Sequence, residues 1–120
     1  MLEYEIKAFG QRLGLESLAL SQDGVAQLNI DGIGSFFLEL KETHGRRELL
    51  AYLSAQLPEH ESDTPRRLLE ACDYRRGQPM PLSAGVFSGR ALLLTRLQEQ
   101  DVTAAAIENS LRFLAETLYA

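Results

Sequence analysis

The sequence predicts an α+β domain whose elements run α-β-β-β-α-β-β-α, an antiparallel sheet packed with three helices. Three observations predict it. Apolar residues at both ends of the chain recur with the period of a helix, and those of the middle recur at every second position, the period of a half-buried strand. Short glycine-containing turns join the strand-like runs into a meander and a hairpin. A chain of 120 residues with 45% hydrophobic residues can build one real core without staples, so 1–120 reads as a single domain.

In residues 2–13, Leu2, Ile6, Phe9 and Leu13 make one helical stripe, and Gly14 follows where a helix end favours a left-handed residue. In Val25–Asp31, Ala26, Leu28 and Ile30 alternate with Gln27, Asn29 and Asp31, which predicts a strand. Asp31–Gly34 is a turn, and Ser35–Glu42 is a second strand with Phe36, Leu38 and Leu40 on one side and Phe37, Glu39 and Lys41 on the other. Thr43–Arg46 turns again. Glu48–Leu57 follows, with Leu49, Ala51, Leu53, Ala55 and Leu57 alternating; its Leu, Ala and Glu content also suits a helix, but its place in the meander favours a strand.

Pro58–Asp63 is a polar linker, and Thr64-Pro65 is a cap with proline at the first helical position, so a second helix is expected over Pro65–Tyr74. Gly77–Pro81 stops it. Leu82–Phe87 and Arg90–Leu97 read as a hairpin joined at Ser88-Gly89, the second arm apolar on both faces as in a central strand. Thr103–Tyr119 is the last helix, with Ala104, Ile107, Leu111, Leu114 and Leu118 as its stripe.

Composition excludes several classes of function. A net charge of −5 argues against phosphate-backbone binding, so no nucleic acid is expected. Twenty-two leucines are far more than a disordered coil carries. No apolar run approaches a membrane span, and the charged Met1–Lys7 does not read as a signal peptide, which makes the cytoplasm the expected address.

Reactive chemistry is sparse. The single cysteine, Cys72, lies in the apolar stripe of the second predicted helix and reads as structural or interfacial. His44 falls in a turn and His60 in the linker, neither beside a nucleophile or a second ligand. Gly32-x-Gly34 precedes a strand, whereas a phosphate cradle needs a helix N-terminus. No catalytic constellation, metal or cofactor is therefore expected. Three arginine pairs (46–47, 66–67 and 75–76) suit either solvated faces or ion pairs with a partner. A two-layer domain covers one sheet face with its own helices, so Phe37, opposite in facing to Phe36, is expected on an apolar surface that a partner or a second copy would bury.

Several stretches together resemble the class I type III secretion chaperones (the Tir-chaperone, CesT/SycE-like family). They are Phe9–Leu15 closing the first helix, the Gly24–Ile30 strand, and the leucine-rich Leu49–Pro58. Arg67–Ala71 in the second helix and the Gly85–Leu97 hairpin before a C-terminal helix complete them. The chain departs from the family at Cys72-Asp73-Tyr74, where members often carry an asparagine.

The resemblance implies a non-enzymatic homodimer of the bacterial cytoplasm. Such a dimer binds the N-terminal segment of one cognate secreted effector in extended form and keeps it export-competent, with the secretion apparatus as a further partner. By the same resemblance Ile6, Phe9, Leu13, Phe36, Phe37 and Leu38 are expected at the effector contact. Leu68, Leu69, Cys72, Val86 and Phe87 are expected at the dimer interface. Two alternatives stay open: a regulatory protein of this fold that sequesters a transcriptional activator or anti-activator, and an adaptor outside any secretion system.

Overall fold

The computed structural model describes residues 2–15, 17–56, 82–87 and 89–119. Helix α1 spans Leu2–Arg12, strands β1 Val25–Ile30, β2 Gly34–Thr43, β3 Arg46–Gln56, β4 Ser83–Phe87 and β5 Arg90–Gln98, and helix α2 Ala104–Tyr119. A 3-10 turn at Glu99–Asp101 leads from β5 into α2. The strands form one antiparallel sheet in the order β1-β2-β3-β5-β4, and both helices lie on one face of it. This is the α+β architecture the sequence predicts. The expected helix over Pro65–Tyr74, with Leu68, Leu69 and Cys72, lies outside the described residues, as do the arginine pairs at 66–67 and 75–76.

Helix α1 stops one residue earlier than its stripe suggests. Gly14 takes φ +82°, its N–H donates to the Gln11 carbonyl at 3.1 Å, and the Leu15 N–H donates to the Gly10 carbonyl at 2.8 Å. That pair of bonds is the Schellman closure, which satisfies two carbonyls the helix would leave bare. Leu13 therefore sits at the cap, outside the buried stripe, and is 41% exposed. Just beyond, the chain folds back so closely that a Cβ on Gly10 would lie 2.6 Å from the Leu18 Cβ.

The strand alternation places one set of side chains beneath the helices. Phe36, Leu38, Leu49, Ala51, Leu53, Ala91 and Leu93 all lie buried on this inner face. Ile6 and Phe9 from α1 and Ile107, Leu111, Leu114 and Leu118 from α2 close over them. The Phe9 and Phe36 rings meet at 5.9 Å with a 58° tilt, a favourable edge-on arrangement. Burying a Phe or Leu side chain in such a layer stabilises by about 1.5–3 kcal/mol each.

β3 resolves as a strand despite its helix-forming composition. Pairing with β2 on one side and β5 on the other offsets the weak helix preference of its residues. Its hairpin with β2 closes through His44 (φ +53°) and Gly45 (φ +76°), the two left-handed residues that the twist of antiparallel strands favours. At the other end Gly34, at φ +146°, comes so close to the Ser54 carbonyl that no side chain fits.

The two helices are tied to each other by charge. Glu5 of α1 accepts the Ala104 N–H at 2.9 Å and so caps α2, while the Thr103 hydroxyl accepts the Ala106 N–H at 3.0 Å. Arg47 at the start of β3 lies between Glu3 (3.1 Å) and Glu99 (3.0 Å). The bond of Glu3 to its own backbone, and then Arg47, hold the Glu3 carboxyl below the usual carboxylate range. Arg12 reaches Glu108, which also meets Arg112, at 3.4 Å each.

Candidate functional site

Of the six residues expected at an effector contact, Ile6, Phe9, Phe36 and Leu38 are wholly enclosed by the chain's own core and retain no surface. The physical reason is the period of each element. The α1 stripe and the inner row of β2 must cover each other, and that uses both faces that looked available. Leu13 and Phe37 remain accessible.

Phe37 belongs to the outer face of the sheet, the one that carries neither described helix. Register places Gln27, Phe37, Tyr52, Leu94 and Ser83 in one row across all five strands. The Phe37 and Tyr52 rings are 6.3 Å apart. The Tyr52 hydroxyl donates to Glu39 at 2.5 Å; burial first, and then this bond to an anion, push its pKa up to about 12. The adjoining row holds Asn29, Ser35, Ser54, Leu92 and Gly85. Small neighbours leave Leu92 46% exposed although β5 is an internal strand.

Of the residues expected at a dimer interface, Val86 is 43% exposed on edge strand β4, and Phe87 ends that strand opposite Arg90. Sequence reading missed Leu92 and Leu94 as surface candidates. The signal was present: Ala91–Leu94 is apolar at every position, and only one of the two faces of β5 meets the described helices.

The second candidate feature is the outer edge of β1, which pairs with no further strand among the described residues. The Gly24 carbonyl accepts from Leu40 N–H at 2.8 Å, which fixes the alternation of the ladder. Ala26 and Leu28 turn their backbone groups towards β2, and Gln27 and Asn29 turn theirs away. β1, VAQLNI, has no charge and no proline, the devices that usually protect an edge strand. The chain's opposite edge, β4, is only five residues long and has Gly85 at its centre.

Among the described residues no group of three or more His, Cys, Asp or Glu side chains converges as a metal site would require, and no helix is long and apolar enough to cross a membrane. Two open depressions lie at strand ends and turns, one of about 430 Å³ beside Asp31, Ile33 and Arg90 and one of about 520 Å³ beside His44 and Gln98. Neither aligns a nucleophile with a base.

The fold is that of solved secretion chaperones. The chain superposes on the HopA1–SchA chaperone–effector complex with a TM-score of 0.71 at 15% identity, covering 97% of this chain and 88% of that one. For the ExsC–ExsE complex the TM-score is 0.69 at 24% identity, covering 98% and 89%. For the Yersinia pestis type III secretion chaperone SycH, solved with a stable fragment of YscM2, it is 0.63 at 22% identity, covering 98% and 99%. No curated protein sequence matches the chain. The family model of the type III secretory system chaperone SycN matches residues 1–118. With nearly every residue inside that match, the chain belongs to the type III secretion chaperone family described by SycN.

Proposed function

We propose that this chain is a homodimeric, non-enzymatic chaperone that holds the N-terminal segment of one secreted effector in extended form in the bacterial cytoplasm. The observation that carries the reading is the uncharged edge of β1, where Gln27 and Asn29 present backbone donors and acceptors to an incoming strand. One solved neighbour with the same fold, HopA1–SchA, is a complex of a chaperone with an effector, which supports that kind of partner.

An extended segment pairs its backbone with this edge, and Leu13 at the end of α1 and Phe37 on the outer face supply apolar contacts beside it. The β4–β5 hairpin supplies the dimer contact through Val86, Phe87 and Leu92; Leu68, Leu69 and Cys72, expected at the same contact, lie outside the described residues. Ordering an extended chain costs entropy, so such a complex needs a large contact area, which a dimer doubles. The net charge of −5 keeps the exposed apolar faces soluble.

The test is co-purification with a candidate effector from the same bacterium, followed by limited proteolysis and mass measurement. The reading expects two copies of the chain and one protected N-terminal effector segment. A partner that is never exported, such as a transcriptional activator or anti-activator, would replace it with the sequestration reading. A monomer with a fully folded partner would replace both.

A further inference from the structure

Residues 17–21, Ser-Leu-Ala-Leu-Ser, belong to no strand, yet they carry a strand's pattern. Leu18 and Leu20 are partly buried against the core, and Ser17, Ala19 and Ser21 are exposed. The turn that follows has a defined geometry. Gly24 N–H donates to the Ser21 carbonyl at 2.9 Å, Ser21 N–H donates to the Val25 carbonyl at 2.8 Å, and Gly24 sits at φ +78°. These are the bonds of a three-residue hairpin loop closed by a left-handed glycine. The Ser21 hydroxyl accepts the Val25 N–H at 3.3 Å and completes the closure.

A hairpin loop of this kind sends the preceding residues antiparallel along the free edge of β1. Continuing the register from Ser21 opposite Val25 sets Leu20 against Ala26, Ala19 against Gln27, Leu18 against Leu28 and Ser17 against Asn29. Two independent patterns agree with that register. The residues whose backbone groups would bond are Ala19 with Gln27 and Ser17 with Asn29, and Gln27 and Asn29 are the ones that turn away from β2. The side chains also match, with Leu18 and Leu20 on the helix side beside Ala26 and Leu28, and the small polar residues on the outside beside Gln27 and Asn29. A one-residue slip would destroy both agreements.

Upstream, the segment starts from a fixed point beside α1. Leu15 N–H is bound to the Gly10 carbonyl, and Leu18 rests on the bare backbone of Gly10. We propose that residues 17–21 are a built-in strap, an intramolecular strand that closes on the β1 edge when that edge is empty and gives way to a partner strand. The strap would shield an edge that has no charge or proline to protect it. Its closure is a property of the chain alone; only its yielding to a partner rests on the docking reading proposed above.

Residue-resolved amide hydrogen exchange on the full chain without partner, at two protein concentrations, tests the strap. The Gln27 and Asn29 amides should exchange at least about tenfold more slowly than free peptide, equally at both concentrations. Ala19→Pro removes the donor facing Gln27 and puts a ring where the strand must approach, so it should abolish the Gln27 protection. The Leu28 amide, bonded towards β2, should stay protected and report an intact sheet. Should Leu28 lose protection in that variant, Ser17→Pro repeats the test at Asn29.

Gln27 and Asn29 exchanging like free peptide in the unmodified chain would overturn the strap. So would protection that survives both proline variants, or protection that grows with concentration, since the latter puts a second copy on the edge. Protection as expected, combined with failure of any effector strand to compete for it, would leave the strap standing and remove the docking reading.

Discussion

The two faces of one sheet are built from the same strands and from similar residues, yet they have opposite fates. On the inner face Phe36 is completely buried against Phe9. On the outer face its neighbour Phe37 lies beside the Tyr52 ring and keeps part of its surface. Period-two geometry guarantees that adjacent phenylalanines part company, so a pair of them in a strand marks one core position and one position for something else. The inner face makes the domain stable; among the described residues the outer face is the less buried of the two.

The widest separation between the faces should come from truncating each phenylalanine. Phe36→Ala is expected to cost about 3–5 kcal/mol in chemical denaturation, because it opens a cavity in a closed layer. Phe37→Ala should cost under about 1.5 kcal/mol and instead weaken effector capture, and an equal loss of stability in both would erase the distinction. Next in size is Gly34→Ala, where the added Cβ meets the Ser54 carbonyl and the backbone stays at a left-handed φ. It is expected to lower stability by about 1–3 kcal/mol, measured the same way.

A smaller effect of opposite sign sharpens the account of the inner face. Thr95 is 1% exposed there, and among the described residues its hydroxyl is the buried side-chain polar atom that lacks a hydrogen-bond partner. Thr95→Val keeps the shape and removes the unsatisfied group, so the melting temperature should rise, by an amount corresponding to about 1 kcal/mol.

The last test belongs to the outer face. Tyr52 ionises near 12 in the folded chain against an ordinary value of 10, so the folded state holds this proton more tightly than the unfolded one. Its contribution to stability is therefore complete below about pH 10 and disappears as pH rises through 12. An absorbance titration of the four tyrosines should show one late component that Tyr52→Phe removes. A late component that persists in the variant would mean that a tyrosine other than Tyr52 carries it.

Most of the fold was legible because each element follows a single period. The stripe of α2, the alternation of β1 and β2 and the glycine turns each constrain the chain locally, and the described elements fall where those patterns place them. β3 needed its neighbours, since Leu, Ala and Glu satisfy either period and only pairing on both sides decides. The candidate site was less legible. Periodicity shows which residues share a face, but not whether that face is spent on the core, and so Ile6, Phe9, Phe36 and Leu38 looked as available as Phe37. The exposure of Leu92 depended on Ser54 and Gly85, residues distant in the chain that become neighbours only through the ladder.

The carboxylate of Glu5 closing over the first turn of α2 has a consequence for synthesis. Its partner, the Ala104 N–H, lies 99 residues downstream, and the Arg12–Glu108 pair spans 96. A ribosome adding about 5–20 residues per second releases the first helix several seconds before the helix that must receive it. During that interval Leu2, Ile6 and Phe9 have no completed layer to enter. The newborn chain is itself, for those seconds, a polypeptide with an uncovered apolar N-terminal segment.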